Sequence, residues 1–111
     1  MLIVNAHVHN NVVVISIKGT LNIDNTFEVE KVFKEQITIK PKVVGFDCKD
    51  MANLDSSGLG LFVKFLKESK NSNFELIFFN ITGNILSLFD ISKLNNFFNI
   101  MTGEEFQAKY L

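Results

Sequence analysis

With 111 residues, 47% of them hydrophobic and a single proline, the chain has the length and apolar content of one compact domain spanning residues 1–111. Eleven Lys plus Arg stand against twelve Asp plus Glu, a formal charge of -1, and they are scattered, so no basic face is offered to a nucleic-acid backbone. Apolar runs such as Val12 to Ile15 and Leu76 to Phe79 fall far short of the ~20 residues that cross a bilayer. The opening Met1 to Asn5 lacks the basic, apolar and small-residue succession of an export signal. A cytoplasmic protein with no membrane insertion is expected.

Periods of two and of 3.6 alternate along the chain. Ile3 to Val8 and Val12 to Lys18 are β-branched runs separated by His9-Asn10-Asn11, which predicts a hairpin with an Asn-rich turn, the second strand ending at Gly19. Asn22, Asp24 and Asn25 lead into a helix to about Ile37, with Asn25 and Glu28 spaced as a capping box and Val29, Val32 and Phe33 as its buried stripe. Pro41 precedes Val43 to Cys48, a short apolar run suited to a central strand. From Asp55 the pattern is helical to about Lys70. Phe74 to Phe79 reads as a strand, Thr82 to about Asp90 as a helix with Ile85, Leu86 and Phe89 inward, Phe97 to Met101 as a last strand, and Glu104 to Tyr110 as a closing helix. Strands alternating with crossover helices predict an α/β fold, a mixed sheet of four to five strands with helices packed against it.

The most informative segment is Asp55-Ser56-Ser57-Gly58-Leu59-Gly60, where two hydroxyls follow a carboxylate as an apolar strand-and-loop region gives way to a helix. Free N–H groups and the positive dipole end make such a start a natural place for an Asp or Ser cap, and also one that accommodates a phosphate. In the helix that follows, Leu59, Phe62, Val63 and Leu66 share a face and are expected to turn to the core, with Lys64, Lys67 and Glu68 toward water. Leu61 and Phe65 then lie off that stripe on the side of Gly58. Two readings stand for them, a docking strip beside the serines or cover from a second helix of the same domain.

This segment, the strand before it and the amphipathic helix after it resemble the STAS domains, in particular the bacterial anti-sigma factor antagonists. Gly19-Thr20-Leu21-Asn22 is similar to the turn after the family's second strand, and Leu88 to Leu94 to its third helix and the turn beyond. The resemblance covers nearly the whole chain. It implies that Ser56 is phosphorylated by a partner that is both anti-sigma factor and serine kinase. It further implies that the unphosphorylated form sequesters that partner, and that a metal-dependent serine phosphatase resets the cycle. Asn22, Asp24, Asn53, Asp55, Ser56, Ser57, Gly58, Leu61 and Phe65 are then the expected partner-binding residues, with Ser57 bracing the helix start. Asn22 stands where the family usually carries Asp, and keeps the hydrogen-bonding shape without the charge. Asn53 stands near a position usually bulky and apolar. Asn73-Phe74 replaces a glycine pair, which Asn at a helix end tolerates. A second role within the same fold is a subunit of an ABC-type membrane transport complex, docking an ATPase without modification.

Other chemistries find little support in the residues. His7 and His9 share a strand face without acidic companions, Cys48 has no partner for a disulfide or metal, and Ser56 has no neighbouring base in sequence. A small serine hydrolase is the distant alternative; no enzyme activity, cofactor or metal is expected.

Overall fold

The computed structural model describes all of residues 1–111. The chain runs β1 (Leu2–His9), β2 (Val12–Leu21), α1 (Thr26–Ile37), β3 (Val43–Asp47), β4 (Met51–Leu54), α2 (Ser56–Asn71), β5 (Glu75–Phe79), α3 (Gly83–Ile91), a short 3-10 turn (Leu94–Asn96), β6 (Asn99–Met101) and α4 (Gly103–Tyr110). Six strands form one mixed sheet in the order β1-β2-β3-β5-β6, with β4 beside β2, so it is larger than the four to five strands expected. The strand that brings the number to six is the four-residue β4, too short for any period to show.

The predicted hairpin is present, its turn made by Asn10 and Asn11 with Asn10 at φ 54°, the left-handed conformation such tight turns require. Gly19 does not end β2. It sits at φ +102°, and a side chain there would meet the Met1 carbonyl oxygen at 2.1 Å. Between Gly19 and Thr20 the register shifts, and β2 continues to Leu21 while exchanging its neighbour β3 for β4. This bulge re-aims the strand end and carries Leu54 alongside Leu21. The start of α2 is thereby set next to the loop that leads into α1.

Helices α1, α2 and α3 cover one face of the sheet over a core rich in phenylalanine. Phe65 stacks on Phe33 at 3.8 Å between centroids and on Phe46 at 5.5 Å, while Phe46 stacks on Phe78. Offset and tilted rings of this kind add to the burial of large apolar surface. Leu61 and Phe65 therefore belong to the core and not to a docking strip, which decides between their two readings. The buried arc of α2 is Gly58, Leu61, Phe62, Phe65 and Ser69. Leu59, Val63 and Leu66 are only half-buried at its flank. The true inward direction is rotated by about 100°, one helical step, from the predicted one. Leu86 of α3 likewise turns out to be exposed, with Ile85 and Phe89 buried. Asn25 makes no side-chain cap on α1, so the predicted box with Glu28 is absent.

The opposite face is closed by α4 alone. Phe106 lies flat on Phe79, 4.0 Å between centroids and 7° between planes, above Val12, Val14, Val43 and Ile77. Gly45 makes this possible, since a methyl group there would come within 2.5 Å of the Phe106 ring. α4 starts in a complete capping box between Thr102 and Glu105 and is held at its far end by the Tyr110 hydroxyl, which donates to Glu75 at 2.6 Å. Burial, then the hydrogen bond and charge of Glu75, push the Tyr110 phenol up to about 12. The Cys48 thiol is fully buried, and burial together with the nearby Asp47 charge raises it well above the ordinary thiol range. No helix is long and apolar enough to cross a membrane.

Two outcomes test this packing. Phe65→Ala should cost about 3–5 kcal/mol in chemical denaturation, the range for emptying a buried aromatic site, and a charged residue there should prevent folding. Tyr110 is the chain's one tyrosine, so tyrosinate absorbance should titrate with a midpoint near 12 in the folded domain, and Glu75→Gln should lower it. Because the folded value lies above the unfolded one, the stability that Tyr110 contributes is complete below about 10 and is lost as pH rises toward 12.

Candidate functional site

The site forms where the end of β2, the loop 22–25 and the start of α2 meet, and Asp55 joins all three. Its N–H donates to the Leu21 carbonyl at 3.2 Å, one step past the paired Leu54, and its own carbonyl accepts from Leu59 at 3.0 Å to begin the helix. One carboxylate oxygen accepts from the Gly58 N–H at 3.1 Å, capping α2, and the other accepts from the Ile23 N–H at 3.2 Å across 32 residues of chain. A single side chain thus satisfies a free helix donor and pins the facing loop. Two N–H groups already bind its negative charge.

The loop is folded by asparagines. The Asn25 side chain accepts from the Asn22 N–H at 2.9 Å and donates to the Thr20 carbonyl at 2.9 Å. Asn22 accepts from the Asp24 N–H at 3.0 Å, an Asx turn. Asn25 serves the loop before the helix, and this use competes with a cap. The Asn22 oxygen is turned into its own loop, and Asp24 is exposed.

Ser56 is the first residue of α2 and exposed; Ser57 is half-buried. Bracing of the helix start, expected of Ser57, is supplied by Asp55. Asn53 is exposed on β4, where its side chain accepts from the Leu54 N–H at 2.8 Å, and it lies opposite Thr20. Asn22, Asp24, Asn53, Asp55, Ser56 and Ser57 are therefore gathered at one end of the sheet. Gly58, Leu61 and Phe65 are not part of that surface. Gly58 is buried because a side chain there would come within 2.3 Å of Leu54 and 3.1 Å of Leu21, so packing fixes its size.

Three residues that the sequence reading passed over complete the surface. Ile23 and Phe27 are 72% and 66% exposed, four residues apart at the entry to α1, and Gly60 is exposed one turn below Ser56. The signal was available. Phe27 falls on the opposite side of α1 from the Val29 and Phe33 stripe. One turn further on, Lys64 of α2 donates to Glu30 of α1, and with Lys34 this hydrogen bond and these charges hold the Glu30 carboxyl below its usual range. The pair lies at the surface, where ion pairs contribute about 0–1 kcal/mol, and it joins the two helices at that level.

His7 and His9 are exposed on β1, on the α4 side of the sheet, opposite Val14 and Val12. Strand residues 14 to 21 put about 23 Å between that level and the Ser56 end. Neither histidine can act as base for Ser56. Nowhere do three or more His, Cys, Asp or Glu side chains gather as metal ligands.

The fold, a six-stranded mixed sheet with a serine exposed at the head of the helix after β4, defines a class of small α/β domains, and comparison with known proteins identifies the family. The STAS domain model matches residues 4–106, and the chain belongs to the STAS family. The anti-sigma-B factor antagonist of Staphylococcus aureus is 26% identical over 91 residues, 82% of this chain and 84% of that protein. Among solved structures, Bacillus SpoIIAA in its phosphorylated form superposes with a TM-score of 0.74 at 20% identity over 100% of both chains. An anti-sigma factor antagonist from Mycobacterium paratuberculosis gives 0.77 at 17% identity, over 90% of this chain and 85% of the other. The likeness establishes the SpoIIAA-like fold.

Asp55→Ala should lose both the cap and the tie to Ile23 and destabilise the domain by about 1–2 kcal/mol. Asp55→Asn, which keeps an acceptor oxygen, should lose less. Equal losses in denaturant titrations would show that the bond an Asn oxygen retains contributes nothing.

Proposed function

We propose that this chain is an anti-sigma factor antagonist working as a charge switch: unphosphorylated, it binds an anti-sigma factor with serine kinase activity; phosphorylated on Ser56, it releases it. Sigma-factor-dependent transcription is regulated in consequence, and a metal-dependent serine phosphatase returns the domain to its binding form. The observation that carries this reading is the exposed Ser56 hydroxyl on the first residue of α2. It stands on a frame that the Asp55 carboxylate holds rigid from both sides. The names of the relatives supply the partner class.

The physical chemistry of the switch is local. A phosphate adds about -1.5 to -2 charges at neutral pH, within a few residues of Asp55 and the exposed Asp24. A partner surface fitted to the neutral hydroxyl then meets repulsion and an uncompensated desolvation cost. The domain itself tolerates the modification, since an anion at a helix N-terminus interacts favourably with the dipole. No rearrangement of the sheet is needed. Asn22 in place of the usual Asp leaves one negative charge fewer near Ser56, a difference that bears on partner choice and on the efficiency of phosphorylation.

Incubation with the cognate anti-sigma factor kinase and ATP should place one phosphate, mapped by mass spectrometry to Ser56 and not to Ser57, Thr20 or Ser92. Ser56→Ala should bind the kinase as the wild type does and resist inactivation. Ser56→Asp should bind more weakly, though less so than the phosphorylated protein, because one carboxylate carries less charge than a phosphate. Equal affinity of phosphorylated and unphosphorylated protein would sink the switch and favour a docking subunit of a transport complex.

A further inference from the structure

The two edges of the sheet are unequal. β6 has three residues, whereas β1 presents eight, paired with β2 throughout and without a bulge. Strand alternation fixes which backbone groups of β1 are free. Asn10 and Asn11 make a two-residue turn, so His9 and Val12 exchange hydrogen bonds, and with the same phase so do His7 and Val14, Asn5 and Ser16, Ile3 and Lys18. The Asn11 carbonyl accepts from Lys42 and Val43 on the β3 side, which agrees with that phase. The N–H and C=O groups of Leu2, Val4, Ala6 and Val8 therefore point away from the sheet, and no turn, loop or helix end bonds them.

An open edge is ordinarily guarded by shortness, as β6 is, or by a lysine, a proline or a bulge. β1 carries none of these, and Leu2–His9 holds no Lys, Arg, Asp, Glu or Pro. Leu2, Val4 and Ala6 pack against the core on the α1 side, and Val8 continues their row 48% exposed; Ile3, Asn5, His7 and His9 lie on the other side. An edge of this kind accepts an extended strand, and its own sequence fits it. Set antiparallel to a second copy with the two-fold axis at Asn5, Leu2 of one copy faces Val8 of the other and Val4 faces Ala6. Every outward N–H and C=O of both copies then has a partner. Sliding the register by two residues either way leaves Leu2 or Val8 unpaired. The side chains agree, since the apolar row meets itself on the helical side while Ile3 faces His7 and Asn5 faces Asn5 on the other.

We propose that β1 is a dimerisation edge, through which two copies of this chain join antiparallel about Asn5 into one continuous sheet. A single strand pair is a small interface, which places the association among the weak and reversible ones. The Ser56 end of the molecule lies beyond the Leu2–Gly19 pair, outside the strand that pairs. Both copies therefore keep that end open, at opposite ends of the shared sheet, and the dimer stands independently of any switch at Ser56.

Sedimentation velocity of the full chain at rising concentration should show a monomer–dimer equilibrium. Ala6→Pro removes an outward donor and leaves the β1–β2 ladder intact, because an edge strand accepts proline where its N–H faces solvent. It should weaken dimerisation about tenfold or more, with circular dichroism confirming the fold. The register is read separately, by mild oxidation of Asn5→Cys and Ile3→Cys. At the axis the two copies of position 5 form a non-hydrogen-bonded pair with Cα atoms about 4.5 Å apart, within reach of a disulfide, whereas the two copies of position 3 lie about 13 Å apart along the strands. The native Cys48 is buried and does not compete. Asn5→Cys should give a covalent dimer, and Ile3→Cys should stay at the wild-type level. If Ala6→Pro fails to fold, the two cysteine variants decide alone. A wild type that remains monomeric, with no cross-link in Asn5→Cys, would overturn the proposal and leave the edge to a foreign strand. A dimer that a folded Ala6→Pro leaves untouched, or equal cross-linking of both cysteine variants, would overturn it too.

Discussion

The Asp55 carboxylate is the constraint on which the candidate site depends. Its two oxygens accept from Gly58 at the head of α2 and from Ile23 in the loop before α1, so one side chain fixes the relative positions of two segments 32 residues apart. Neither bond would exist if β2 stopped at the bulge at Gly19. The strand has to continue far enough to pair Leu21 with Leu54 and to offer its last carbonyl to the Asp55 N–H. Burial of Gly58 against Leu21 and Leu54 closes the arrangement from below. The exposed serine is therefore mounted on a joint that is hydrogen-bonded above and close-packed beneath. For a surface recognised as a rigid body, preorganisation of this kind reduces the entropy lost on docking.

Charge at this end of the molecule is handled sparingly. Asparagines rather than aspartates tie the loop 22–25, and Asp55 is engaged by backbone donors. Of the nearby cations along α1 and α2, Lys34 and Lys64 share the Glu30 carboxylate. Against such a background, a phosphate on the Ser56 hydroxyl, with its charge of about -1.5 to -2, would be a large relative change. A loop held by carboxylates would mute it.

Much of the architecture was legible in the sequence because the period changes are clear. The β1–β2 hairpin, α1, β3, α2 and β5 all fall where the pattern placed them, and the Asx-rich turn residues mark the connections. The short β4 was not legible, since four residues carry no usable period, and its existence depends on the distant bulge at Gly19. The inward face of α2 was misassigned for a different reason. Leu59, Leu61, Phe62, Val63, Phe65 and Leu66 spread apolar character over most of the cylinder, and periodicity alone could not choose among directions. Packing chose: the ring stack of Phe33, Phe46 and Phe65 and the fit of Gly58 settle the rotation. At the site, the residue types from Asn22 to Ser57 were readable as a group. Phe27 was readable from its place opposite the Val29 and Phe33 stripe of α1, whereas the exposure of Ile23 and Gly60 is a property of the assembled fold.

Cys48 offers one more consequence. The thiolate is the reactive form of cysteine, and burial suppresses both its formation and its access to reagents. Sealed just past the end of β3 within the aromatic core, this lone thiol reacts only when the domain opens. Its alkylation rate is then an intrinsic clock for that opening. It can be read without any added probe, and in the presence of a bound partner as readily as in its absence. Hydrogen-exchange free energies report the same openings; here one atom reports them for the layer on which the candidate site is built.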